Sequence, residues 1–165
     1  MTPWSTRSPE EQGLLNPSFC ATLLWHAALG HTAEVNRPIA FELSFIVLPF
    51  VLHRETRDAL PRTATTSLAV WLDQDPLLRS KIAERACLLV KHTKEALTFG
   101  GLYEMLRFAA GGIEANSDWK KKISKTLVNS SEEVRHCAKR AEFVGKWFGK
   151  SGDASTVMAL IGVRP

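Results

Sequence analysis

Between Leu78 and Thr93 the side chains of Leu78, Ile82, Ala86, Leu89, Val90 and Thr93 step by three or four residues, while Arg79, Lys81, Glu84, Arg85 and Lys91 fall largely on the other side. A period near 3.6 residues with one wet face describes an amphipathic helix and little else. The start signal agrees: Asp75 offers a cap, and Pro76 takes the first helical position, where a missing N–H costs nothing. This helix sets the frame for its neighbours.

Upstream, Asn16-Pro17 repeats the same start, and Phe19, Leu23, Leu24, Ala27 and Ala28 follow at helical spacing up to an expected stop at Gly30. Residues 39–53 are strongly apolar. Their first part alternates like a strand; their second has helical spacing with Pro49, which bends a helix. A mostly buried, bent helix is the favoured reading, and a strand is the alternative. Thr65, Thr66 and Ser67 offer caps to a helix carrying Leu68, Val70, Trp71 and Leu72.

A break at His92-Thr93 would start another helix from Lys94 to about Leu106, in which Gly100-Gly101 costs about 1 kcal/mol per glycine or marks close packing. Gly111-Gly112, between two short apolar stretches, signals a hairpin within Leu106–Ala115. Asn116–Asn129 reads as basic and irregular. Ser130 or Ser131 then caps a long helix with Glu132 and Glu133 in its first turn and a stripe through Val134, Cys137, Ala138, Ala141, Val144 and Phe148. Asp153 or Ser155 caps a last turn bearing Val157, Leu160 and Ile161.

The expected fold is therefore mainly α. A winged-helix-like centre (about residues 66–115) with a short β-hairpin is flanked by N- and C-terminal helices. Residues 1–13, polar with two prolines and a glycine, read as a flexible leader, and 14–165 as a single domain.

Three cysteines (Cys20, Cys87, Cys137) make no disulfide framework, so a reducing cytoplasm is the expectation. The longest apolar run, Phe45–Leu52, is far short of the roughly 20 residues of a membrane span. Net charge is +4, unevenly spread: Lys120–Lys150 holds nine Lys/Arg against three Glu, and the rest is slightly acidic. Such a basic stretch suits an anionic partner or a solvated helix face.

Catalytic patterns are hard to find. His26, His31, His53, His92 and His136 form neither HExxH nor a metal-spaced cluster, and no cofactor is implied. Cys137 falls in an apolar stripe, as a structural thiol does. The glycine pairs lack the spacing and the following Lys-Ser/Thr of a phosphate loop. Glu10-Glu11 and Glu132-Glu133 read as caps or solvated carboxylates. Of five tryptophans, Trp25, Trp71 and Trp147 lie in amphipathic segments as core residues do, whereas Trp4 and Trp119 lie in polar surroundings, where a tryptophan can anchor an interface.

Several stretches carry a family resemblance. They are Asn16-Pro17; Phe45-Ile-Val-Leu-Pro-Phe-Val-Leu-His-Arg-Glu-Thr-Arg-Asp-Ala-Leu-Pro61; Thr66-Ser67-Leu68 with Trp71-Leu72; His92-Thr-Lys-Glu-Ala-Leu97; Ala141 through Gly145-Lys-Trp-Phe148; and the closing Thr156-Val-Met-Ala-Leu-Ile-Gly-Val-Arg-Pro165. As an ordered set over about residues 14–165 they resemble the middle component of bacterial three-component ABC ATPase (ABC-3C) systems. The resemblance implies a small non-catalytic adaptor, working with an SMC- or Rad50-like ABC ATPase and a third component against invading DNA. Related chromosome-loading complexes use winged-helix subunits as bridges, often as dimers, so a homodimer is a further expectation by analogy.

The apolar tail, Val157, Leu160, Ile161, Val163, Arg164 and Pro165, is the expected partner contact. Lys94, Arg107, Lys120, Lys121, Lys122 and Lys125 are the expected contacts to nucleic acid or another anionic partner. Glu95 and Glu104 count against direct DNA contact by the 94–106 helix. The rival reading is a stand-alone winged-helix transcriptional regulator.

Overall fold

The computed structural model describes residues 4–164, apart from the side chains of Trp4, Glu10 and Glu11. A 3-10 turn (Trp4–Thr6) and helix α1 (Pro9–Leu14) precede α2 (Pro17–Val35), strand β1 (Ile39–Ala40), α3 (Phe41–Val51) and α4 (Arg54–Ala59). Helices α5 (Leu68–Gln74), α6 (Pro76–Leu88) and α7 (Val90–Leu102) lead into a hairpin of β2 (Leu106–Ala109) and β3 (Gly112–Ala115). A second 3-10 turn (Ser117–Trp119), α8 (Lys120–Val128), α9 (Glu132–Lys150) and α10 (Ala154–Ile161) follow. The chain is mainly α with a short hairpin, as its patterning implies.

Helices α2 and α9 cross at the centre. Asn16 caps α2 by accepting the Ser18 N–H at 2.8 Å, and Pro17 opens the helix. Gly30 does not end it. A Cβ on Gly30 would lie 2.0 Å from the Glu142 carbonyl oxygen, and one on Gly145 1.9 Å from that of Ala27. The two backbones meet at these glycines, and α2 runs on to Asn36, which closes it in the left-handed region at φ 51°. Gly30 is thus a packing residue that local sequence cannot tell from a stop.

Around this crossing, Phe50 of α3 meets the rings of Trp147 and Phe148 edge-on, and Trp71 of α5 lies beside Trp147. Each buried indole finds a carbonyl: Trp25 donates to Asn116 at 2.9 Å, Trp71 to Ala59 at 3.0 Å and Trp147 to Thr66 at 2.6 Å. An unmet N–H here would cost about 1–3 kcal/mol. Buried Arg57 donates to the Val51 carbonyl at 2.8 Å and to the Glu133 carboxylate, joining α4 to the start of α9.

Both readings of residues 39–53 are realised in sequence. Ile39-Ala40 pairs with β3 (Ile39 opposite Ile113), and a helix begins at Phe41 with Pro49 inside it. The sheet order is β1-β3-β2, all antiparallel. Gly100 and Gly101 mark close packing, not a break: Cβ atoms there would lie 2.6 Å from the Leu106 side chain and 2.8 Å from that of Phe108.

Two further boundaries differ from expectation. Helix α7 starts at Val90, because Thr93 is fully buried inside the helix and caps nothing. The stretch after Asn116, expected to be irregular, holds α8; Ile123 is buried on its inner side, although no side chain caps its start.

Candidate docking surfaces

The tail is a capped helix. The Asp153 carboxylate accepts the Thr156 N–H at 2.8 Å, and hydrogen bonds from Thr156 and then Ser155 hold this carboxyl below the ordinary Asp range. Gly162 at φ 91° closes the far end, and the N–H groups of Gly162 and Val163 both reach the Met158 carbonyl. Val157 and Ile161 face inward at 0% and 1% exposure. Leu160 and Val163 are half-buried and Arg164 is exposed, while Pro165 lies outside the described residues. Val163 and Arg164 edge a cavity of about 320 Å³ whose apolar wall includes Phe41, Phe45, Val90 and exposed Cys87.

The cationic candidates fall into two groups. Lys120, Lys121 and Lys125 are exposed on α8, and the Lys122 ammonium lies 4.0 Å from the centre of the half-buried Trp119 ring. Arg107 joins this group from the hairpin, its guanidinium 3.5 Å from Asp118. Lys94 stands apart on the solvent face of α7, beside Leu88 and Thr98.

Glu95, expected to weaken that face for phosphate, turns inward instead. It is 7% exposed and takes two hydrogen bonds from Arg7, at 2.7 and 2.8 Å. The Arg7 hydrogen bonds, chiefly, hold its carboxyl below the usual Glu range. Nothing in the sequence signals this pairing across 88 positions.

A second cavity, of about 490 Å³, opens between α8 and the ends of α2 and α7. Phe19, Tyr103, Trp119, Ile123 and Leu127 line it together with Lys122. The polar setting of Trp119 hinted at an interface. The contribution of Phe19 and Tyr103 depends on how three distant helices meet, which no local signal reports.

Three buried titratable groups belong to the core. Burial pushes the Cys20 thiol up to about 12 and raises Cys137 as well. Burial also lowers His31. Among the described residues no three His, Cys, Asp or Glu side chains gather to hold a metal ion, and no helix is long and apolar enough to cross a membrane.

Comparison with known proteins agrees with the resemblance. The model of the family described as ABC-three component (ABC-3C) system Middle Component 3 matches residues 4–165. No curated protein and no solved structure matches. With the match running from the 3-10 turn at Trp4 through the tail, the chain belongs to the Middle Component 3 family of ABC-three component systems.

Proposed function

We propose that this chain is a non-catalytic adaptor that joins an SMC- or Rad50-like ABC ATPase to a third component, in the cytoplasm, in defence against invading DNA. The carrying observation is the family match across residues 4–165. Support from the surface comes from the tail edge, where Val163 and Arg164 border an apolar cavity suited to a protein partner.

Co-expression of the three components with a tag on this chain tests the reading. The ATPase and third component are expected to co-elute with it, and Val163→Asp with Arg164→Glu to weaken ATPase recovery. A chain that elutes alone, or that hydrolyses ATP by itself, refutes the adaptor. The defence role predicts that cells carrying the system resist phage or plasmid entry, and that deleting this component alone restores sensitivity.

One observation favours a second reading, direct DNA contact by α7 and the hairpin as a winged helix. With Glu95 turned onto Arg7, the outward face of α7 presents Lys91, Lys94 and Thr98. Salt-dependent retardation of duplex DNA, weakened by Lys94→Glu and Arg107→Ala, is its expected signature.

A further inference from the structure

Helix α8 is held to the body through one side only. Ile123 is buried and Leu127 half-buried on its inner side, whereas Lys120, Lys121 and Lys125 point to solvent. Between this helix and the body lies the cavity of about 490 Å³. Its walls follow the whole of α8, about 13 Å for nine residues at 1.5 Å per residue, with Trp119 and Ser130 just beyond its ends. That length suits two to three turns of a second helix lying alongside.

Two features specify the occupant. The floor is aromatic and aliphatic, with Tyr103 still 52% exposed, which calls for an apolar stripe. Among the described residues lining the cavity, Lys122 is the one that carries a full charge, and Lys121 and Lys125 extend the same sign along the helix. Of the nearby carboxylates, Asp118 and Glu133 are engaged by Arg107 and Arg57, and exposed Glu104 and Glu132, close in sequence to the lining residues, are outnumbered by the four lysines of α8.

Resting on the adaptor reading, we infer that this groove docks an amphipathic helix of a partner component, with anchors at i, i+3/i+4 and i+7 and Asp or Glu along the flank that faces α8. Apolar anchors fill the space over Phe19 and Tyr103, and the acidic flank meets the α8 lysines and sets the register.

The test uses the co-expressed three-component complex with a photo-crosslinking residue at Thr126, which lines the groove from an exposed position. The expected adduct is an acid-flanked amphipathic helix of a partner component. Lys121→Glu with Lys125→Glu should cut its yield about tenfold, and reversing the acidic flank of the captured helix should restore it. With a small diazirine side chain as the reporter at Thr126, Ser18→Trp, which fills the groove from α2 without removing a core side chain, should weaken docking to a similar extent, with circular dichroism checking the fold. Adducts to nucleic acid, to a second copy of this chain or to a helix without acidic residues overturn the inference. So does the absence of adduct in an assembled complex, which leaves the adaptor reading standing. If no complex assembles, both fall.

Discussion

Helices α9 and α8 are neighbours in sequence and opposites in the way they are held. The 19-residue α9 packs backbone to backbone on α2 at Gly145 and carries Trp147 and Phe148 into an aromatic cluster. The nine-residue α8 buries Ile123 and leaves four lysines in water. Packing fills the inward side of α9 from Cys137 to Phe148, so a substitution there should cost stability. Packing leaves a groove beside α8, so a substitution there should cost recognition. The inner side of the tail, Val157, Met158 and Ile161, belongs with α9 in this respect, while Val163 and Arg164 stay at the surface.

The largest test is deletion after Gly152. It removes Val157, Met158 and Ile161, all buried, each contributing roughly 1.5–3 kcal/mol. Their sum approaches the whole stability of a typical domain, about 5–15 kcal/mol. The truncated chain should lose its cooperative urea transition. If it unfolds like the full chain, α10 is an appendage and the grouping of tail with α9 is wrong.

Next comes Gly145→Val, whose Cβ would sit 1.9 Å from the Ala27 carbonyl oxygen. Overpacking against backbone should cost about 3 kcal/mol, seen as a fall in the urea midpoint. Gly13→Ala, with nothing within 4 Å of its Cβ, is the control and should be neutral or slightly stabilising.

These glycines also show how far the sequence could be read. Helix α6 was legible because its signals are local: the stripe through Leu78 and Ile82, Pro76 at the start and Asp75, whose carboxylate does accept the Leu78 N–H at 2.9 Å. The hairpin at Gly111-Gly112 was legible for the same reason, with Gly111 at φ 86°. Gly30 misled because its role lies in Glu142, which is far away in sequence. Thr93 looked like a cap, yet tertiary contact buries it within α7. Helix α8 escaped notice because it has no side-chain cap and shows only Ile123 and Leu127 to the body. At the surface, the candidate lysines are exposed, and their division between α7 and α8 depends on three-dimensional placement that local sequence does not report.

A smaller effect should come from Glu95→Gln. Losing the charge on the Arg7 hydrogen bonds should cost roughly 1.5–3 kcal/mol at neutral pH. The folded-state pKa of Glu95 lies below its unfolded value. Its contribution is therefore complete above the ordinary Glu range and is lost as pH falls through the lowered folded value. Urea midpoints for wild type and variant should differ at pH 7 and converge under acid conditions. A constant gap would show that shape, not charge, holds Arg7 in place.

The smallest expected change in stability belongs to Lys121→Glu with Lys125→Glu, and it bears most directly on the contrast. Both side chains are exposed on α8, and among the described residues neither belongs to an ion pair. Surface substitutions of this kind usually stay within about 0.5 kcal/mol. The two new carboxylates stand one turn apart on α8 and repel each other by a few tenths of a kcal/mol, as the two ammonium groups they replace already do. The urea midpoint should therefore barely move while partner docking falls about tenfold. Gly145→Val should do the reverse to the chain itself, lowering its stability while its folded fraction still docks. If the lysine reversals instead lower stability by about 2 kcal/mol, these cations hold α8 in place, and the division between a packed helix and a recognising one fails at the helix on which it rests.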